Sequence, residues 1–338
     1  MPQRVSIRDV AREAGVSVTT VSHALNGKGR LNPETRRRVL EVAERLGYRP
    51  NPAARSLVSG RTGLIAAMAS LPSEPRVEFS DFSYYSQLIA AATAAAVDRD
   101  AALVVAPPSS RGWFVWDRVA LDGVIVIDPM VGDRALPALR ERGIPFVTTG
   151  RDPLGHELDA VVAADDRAST RDVLTHLVDG GAHRVALVTI PPVISYITDT
   201  VTAYEAWCVE RGQEPRVVTP AIADLVERTD ETIAAMLDAA LAGPDAPDAI
   251  FAPVELVGVA IHGALLDAGA SIPRDVMLVT THDAGAAAAA HITTLEWDYQ
   301  TLGRRAANLL LDLIEGQRVP PCEELVECTV VPRATTSR

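Results

Sequence analysis

The chain has 338 residues, 48% of them hydrophobic, and a formal net charge of −12; it exceeds one ordinary domain and can bury one large core or two medium ones. No apolar run reaches the roughly 18 residues of a membrane span, and the opening MPQRVSIRDV lacks the apolar stretch of a secretory signal, so a cytoplasmic location is expected. Cys208, Cys322 and Cys328 are too few and too irregularly spaced for a disulfide framework or a CxxC pair, so they are read as reduced and structural, with no metal or cofactor expected.

The charge is unevenly placed. Residues 1–61 hold 12 Lys/Arg against 5 Asp/Glu, net +7, whereas residues 62–338 hold 20 against 39, net −19. A small basic segment on a large acidic body points to a head that docks on a polyanion while the body does something else. Lys28 is the only lysine. Arginine favours phosphate forks, although an Arg-rich coding bias explains the preference as well.

In SIRDVAREAG, Ser6 and Asp9 form a capping-box pattern, Ile7, Val10, Ala11 and Ala14 share one helical face, and Gly15 stops the helix. Ser17 can cap a second helix, Val18 to Leu25, whose apolar face is Val21, Ala24 and Leu25. Asn32-Pro33-Glu34 opens a third helix, with Val39, Val42, Ala43 and Leu46 at helical spacing before Gly47. This is a helix-turn-helix with a supporting helix; an ordinary three-helix packing unit is the alternative. The polar order decides between them. The second helix turns Val18, Thr19, Ser22 and His23 away from its apolar face, and these short donors, acceptors and one methyl-bearing group suit the base edges of a major groove.

In NPAARSLVSGRT, Asn51-Pro52 reads as a cap and first turn, but only about two turns fit before Ser59-Gly60. A helix that short is unstable alone, so it should order only against a partner. Leu57, between Arg55 and Arg61, has the character of a minor-groove wedge. A plain interdomain linker is the other reading.

From Gly63 onward, short apolar runs (GLIAAMAS, ALVVAP, GVIVI, PFVTTG, then AVVAAD, RVALVTI, RVVTP, AIFAPV, VMLVTT) alternate with helical stretches near 85–98, 133–142, 168–178, 200–211, 230–241 and 257–268. Strand and helix in alternation predict an α/β class with parallel sheets covered on both faces, and there are enough units for two doubly wound subdomains. A ligand would then sit outside the carboxyl ends of the strands, in the crevice between the halves. The residues to inspect there are Asp128, Arg151, Asp165, Val254, Glu255 and Asp283. Asp165 and Asp166 are as readily helix caps as ligand contacts.

The segments IRDVAREAGVSVTTVSHALNG, NPETRRRVLEVAERLGYRPNPAARSL, HRVALVT, SIPRDVMLVTTHD, ITTLEWDYQTLGRRAANLLL and VPRATT resemble the lactose- and galactose-repressor (LacI/GalR) family of bacterial transcription regulators over nearly the whole length. The resemblance implies a helix-turn-helix DNA-binding domain at 1–50, a hinge helix at 51–61, and a periplasmic-binding-protein-like effector-binding and dimerisation body at 62–338. The body's N-subdomain would span about 62–163 and 295–322, its C-subdomain about 164–294 and 323–338. It further implies that Val18, Thr19 and His23 read bases, that Thr20 and Ser22 support them by holding phosphate or backbone, and that Ala54 and Leu57 enter the minor groove with Arg55 beside them; Ser17, Asn26 and Asn51 complete the candidate DNA-binding set. Most relatives carry arginine where His23 stands, so the half-site is expected to differ at that base.

For the cleft, the resemblance makes Asp283 the carboxylate that grips effector hydroxyls, with Trp297, Tyr299, Asp128, Arg151, Tyr84, Thr200 and Glu255 as further candidates. Phe79, Phe82, Tyr84 and Tyr85 cluster in the first crevice loop as a candidate lid. Thr200 replaces a usual arginine, and Val254-Glu255 a usual Asn-Asp, so two sugar clamps are missing and the effector need not be an ordinary hexose. The implied partners are pseudo-palindromic double-stranded operator DNA, a small-molecule effector such as a carbohydrate, and a second copy in a homodimer; release of DNA on binding an inducer is the commoner family arrangement. An enzyme is disfavoured because GxGxxG, GxxxxGK[ST] and GxSxG are all absent. A transport receptor fits the body but not the head. A regulator holding DNA without any effector remains the alternative that the missing clamps support.

Overall fold

The computed structural model describes residues 5–25, 31–49, 60–70, 83–106, 113–155, 159–221, 224, 229–243, 245–282 and 285–337. It divides into two compact units, Met1–Thr62 and Gly63–Arg338. Among the described residues no helix is long and apolar enough to cross a membrane.

The first unit holds α1 (Ile7–Ala14), α2 (Val18–Leu25) and α3 (Pro33–Arg45). Each begins on its own cap. The Asp9 carboxylate accepts from the Ser6 backbone N–H at 3.0 Å and from its hydroxyl at 2.7 Å, Ser17 Oγ accepts from the Thr20 N–H at 3.0 Å, and Asn32 Oδ1 accepts from the Glu34 N–H at 2.9 Å. Gly15 turns the chain between α1 and α2 at φ 63°, a conformation that glycine adopts without Cβ strain. Val10, Val21 and Val39, one from each helix, are fully buried and meet Ala11, Ala14, Ala24, Val42 and Ala43 in a single small core.

The second unit contains two six-stranded sheets. The first takes β1 (Leu64–Ala69), β2 (Ala102–Ala106), β3 (Gly123–Ile127), β4 (Phe146–Thr149), β5 (Ala160–Ala164) and β11 (Cys322–Val326), in the order β11-β5-β4-β3-β1-β2, every neighbour parallel. The second takes β6 (Val185–Val188), β7 (Val217–Val218), β8 (Ala249–Ala252), β9 (Met277–Thr281), β10 (Thr293–Trp297) and β12 (Cys328–Val331), in the order β12-β10-β9-β8-β6-β7. Here the edge strand β12 runs antiparallel to β10, a departure from the all-parallel expectation. Strands β3, β5, β6, β8 and β9 are buried along their whole length, as a sheet covered on both faces requires. The expected strand RVVTP shrinks to two residues at the sheet edge.

The covering helices are α4 (Ser83–Asp98), α5 (Ala135–Arg142), α6 (Asp166–Asp179), α7 (Ser195–Glu210), α8 (Thr229–Leu241), α9 (Glu255–Asp267), a short α10 (Ala286–Ala289) and α11 (Tyr299–Glu315). The chain passes between lobes after Ala164, after Trp297 and between Val326 and Cys328. The second and third passages fall a few residues beyond the 294/295 and 322/323 limits expected from the sequence, because β10 stays paired with β12 through Trp297 and β11 stays paired with β5 through Val326. Helices α4 and α11 lie unusually close: a Cβ on Gly303 would stand 2.1 Å from the Leu88 carbonyl oxygen. That approach sets the N-termini of both helices, and hence Tyr84 and Tyr299, side by side.

Candidate functional site

On the head, α2 seals Val21 and Ala24 into the core and leaves Ser17, Val18, Thr19 and His23 exposed, with Thr20 and Ser22 half-buried. Val18 is 41% exposed, an apolar group held in solvent between polar neighbours. Thr20 is tied to Ser17 through both its N–H and its hydroxyl, the latter at 2.8 Å, so its side chain secures the helix start while Thr19 and His23 stay outward. An ion pair between Arg45 and Glu13, at 2.9 Å, locks α3 to α1. Asn26, Asn51, Ala54, Arg55 and Leu57 lie outside the described residues.

In the body, the carboxyl ends of β3, β4, β5 and β10 converge with the first turns of α4, α6, α7 and α11 on one recess. Tyr84, Asp128, Thr149, Asp166, Ser195, Tyr196, Trp297 and Tyr299 line it. Tyr84, Asp128, Trp297 and Tyr299 are thus brought together as the sequence suggested. Tyr84 sits 5.3 Å from Tyr299 and 5.0 Å from His282, ring centre to centre; Trp297 meets Tyr196 and His282 edge-on at 5.1 and 5.3 Å. Tyr299 Oη is hydrogen-bonded to His282 Nδ1. These rings fill the cleft so fully that its enclosed void is about 20 Å3, the room of a single water.

Burial sets the electrostatics. The Asp128 carboxyl is pushed up to about 6 by desolvation, although it accepts from the Tyr84 hydroxyl at 2.7 Å. Asp166 is driven well above the usual carboxylate range by burial and by the charge of Asp199. His282 is lowered to about 4, again by burial, and is neutral at physiological pH.

Asp165 and Asp166 divide the two roles between them. Asp165 caps α6 through the Ala168 N–H at 3.1 Å, whereas Asp166, 7% exposed, faces the recess and makes no hydrogen bond through its side chain among the described residues. The lobes are tied beside this point. Arg151, at the end of the first lobe's β4, pairs with Asp199 on α7 and with Glu323 at 2.8 Å, and Arg167 reaches the other Asp199 oxygen at 2.8 Å. Val131 donates to the Val193 carbonyl at 2.8 Å.

Other sequence candidates stand apart from the recess. Arg151 is committed to its carboxylates, Thr200 is buried against Thr170 on α6 at 3.4 Å, and Glu255 opens α9 half-buried and off the lining. Tyr85 belongs to the core, 2% exposed. Asp283, Phe79 and Phe82 lie outside the described residues. Sequence reasoning passed over Ser195, Tyr196, Thr149 and the role of His282. The first two were missed because α7 begins at Ser195, five residues before the predicted Thr200. His282 follows the β9 strand directly, where the strand-end rule looks for site residues.

Residues 6–51 match the family of bacterial regulatory proteins, lacI family, and residues 174–336 match the periplasmic binding protein-like domain. The HTH-type transcriptional regulator CelR of Thermobifida fusca is 29% identical over 342 residues, covering 98% of both chains. Catabolite control protein A of Priestia megaterium is 27% identical over 290 residues, covering 81% of both. Among solved structures, a CelR–cellobiose complex superposes with a TM-score of 0.70 at 26% identity over 98% of this chain and 100% of that one. A lac repressor dimer bound to operator and the anti-inducer ONPF gives 0.76 at 22% identity, over 99% and 100%, and speaks for the fold. With a capped helix-turn-helix at its head and two linked α/β lobes closing on a recess, the chain belongs to the lacI family of bacterial transcriptional regulators, not to an enzyme family.

Proposed function

We propose that the protein is a cytoplasmic, homodimeric repressor that reads a pseudo-palindromic operator and is controlled by a small molecule, a sugar or related metabolite, bound between the two lobes. The observation that carries the DNA half is the outward face of α2, where Val18, Thr19 and His23 stand free of a fully sealed three-helix core. Such a helix enters the major groove with its first turns against base edges, and a two-fold dimer asks for two half-sites. The likeness to regulators solved with cellobiose and with operator DNA supports both halves of the reading.

In the sequence the segment Asn51 to Arg61 allows about two helical turns, a length that orders best against a partner. Pairing across a dimer on DNA would supply that partner, with Leu57 as the wedge. An effector that alters the angle between the lobes changes how readily that pairing forms. A coupling of about 1–3 kcal/mol shifts operator affinity roughly 5- to 150-fold.

Selection of binding sites from random duplex DNA with the purified full chain tests this. A two-fold-symmetric consensus is expected, and Leu57→Ala should weaken binding to it while the body stays folded. Recovery of sequences with no shared preference would remove the proposal.

A further inference from the structure

The recess between the lobes has an unusual polar inventory. Among the described residues its lining holds two carboxylates, Asp128 and Asp166, and no lysine, arginine, asparagine or glutamine. Arg151, next in the chain to the lining residue Gly150, is already shared between Asp199 and Glu323, and Arg167 is spent on Asp199 as well. Asp128 accepts from the Tyr84 hydroxyl and is hydrogen-bonded by Tyr85 as well; Asp166 is more than nine-tenths buried, faces the space and has no side-chain hydrogen bond among the described residues. Two buried carboxylates on one recess, with the charge of Asp128 adding to the cost of ionising Asp166, do not readily both ionise without a compensating cation. Around them stand the faces and edges of Tyr84, Tyr196, Trp297 and Tyr299, and aromatic faces attract a cation. Two further polar atoms on the lining, Trp297 Nε1 and Thr149 Oγ1, are buried with no partner among the described residues. The indole can only donate, so the ligand must also offer an acceptor.

We infer that the cleft takes a small cationic effector, an ammonium-bearing sugar or polyol, whose ammonium group sits between Asp128 and Asp166 and whose oxygens accept from Trp297 and Thr149. This deepens, and rests on, the reading of the cleft as an effector site. The void of about 20 Å3 matches an ammonium head in size, and the ring that carries it is admitted only when the lobes part. A neutral polyol satisfies the same acceptors but leaves the charge uncompensated. An acidic effector would meet two carboxylates and, among the described lining residues, no cation. The two buried carboxylates, both raised above the usual range, make the ligand-free pocket take up protons that an ammonium group would displace.

The test pairs each amine with its neutral counterpart on the full-length protein: D-glucosamine with D-glucose and N-acetyl-D-glucosamine, D-galactosamine with D-galactose, and the β-1,4 glucosamine dimer with cellobiose. Thermal shift and calorimetry are the readouts. At least one amine should bind, about tenfold or more tighter than its neutral partner, the scale of a desolvated charge pair. Binding should release protons at pH 6, and Asp166→Asn should abolish the amine preference. Asp128→Asn gives a second reading if the first variant fails to fold. Equal or tighter binding of the neutral member, or no binding by any amine at about ten millimolar, overturns the inference. A neutral sugar that binds and weakens operator affinity would overturn the charge assignment alone and leave the effector-controlled reading standing.

Discussion

Tyr84 and Asp128 meet at 2.7 Å, a phenol from the start of α4 donating to a carboxylate at the end of β3. Neither is adjacent to the other in sequence, and Asp128 takes a positive φ of 49° to reach this position. Side chain and backbone are both held in a place that ordinary folding would avoid, which marks the strand end as a site more firmly than its sequence position did.

Because desolvation raises Asp128 from 3.8 to about 6, the folded state binds more protons than the unfolded chain between those values. Stability contributed by this group is therefore full below about pH 4, falls as pH rises to about 6, and is flat beyond. The difference amounts to roughly 3 kcal/mol at one pH unit per 1.36 kcal/mol. Asp128→Asn should remove that fall. Melting temperatures of both proteins across pH 4 to 7 check it: the variant gains on the parent as pH rises, and a constant gap would rule the titration out.

Asp199 is the knot between lobes, since one buried carboxylate holds Arg151 from the first lobe and Arg167 on α6. Asp199→Ala leaves two arginines facing each other. Both are partly exposed, so water screens them and the loss should be modest, up to about 1 kcal/mol, but the lobes should part more easily. Small-angle scattering of the ligand-free variant should show a larger radius of gyration than the parent; an identical curve would mean that the backbone contacts near Val131 and Val193 hold closure alone.

The three helices of the head were legible, because caps, glycine turn and apolar spacing are local signals: Asp9 closes back on Ser6, and Ser17 and Asn32 cap where their types predicted. In the body, the alternation of fully buried runs gave the two sheets, whereas the antiparallel β12 did not announce itself: a strand's direction depends on which distant partner it meets. The cleft was legible only where a residue directly follows a strand. Asp128 qualifies. Tyr196 does not, since it enters after a six-residue loop and depends on a helix start that composition placed too late. Asp165 and Asp166 were inseparable in sequence, and only the turn of α6 decides which of two adjacent carboxylates caps and which faces the recess.

Gly303 permits the α4–α11 approach on which the tyrosine pair depends. Adding one methyl at 2.1 Å from the Leu88 carbonyl demands a backbone shift, and such overpacking typically costs about 1–3 kcal/mol. Gly303→Ala should lower the melting temperature and weaken ligand binding in the cleft while leaving operator recognition by α2 intact. Unchanged ligand affinity in the folded variant would show that helix spacing does not position Tyr84 and Tyr299.

His23 lies exposed on the outer face of α2, one turn beyond Thr19. A neutral imidazole offers one donor and one acceptor, so it pairs with a base edge through a single bond, while an arginine forks onto the two acceptors of guanine. His23→Arg should therefore shift the selected consensus at one base pair of each half-site toward guanine, by about 1–3 kcal/mol of discrimination. The change must appear symmetrically in both halves, because each protomer of a two-fold dimer presents the same residue to its own half-site. A selected consensus identical to the parent's would place His23 outside base contact and leave the reading to Val18 and Thr19.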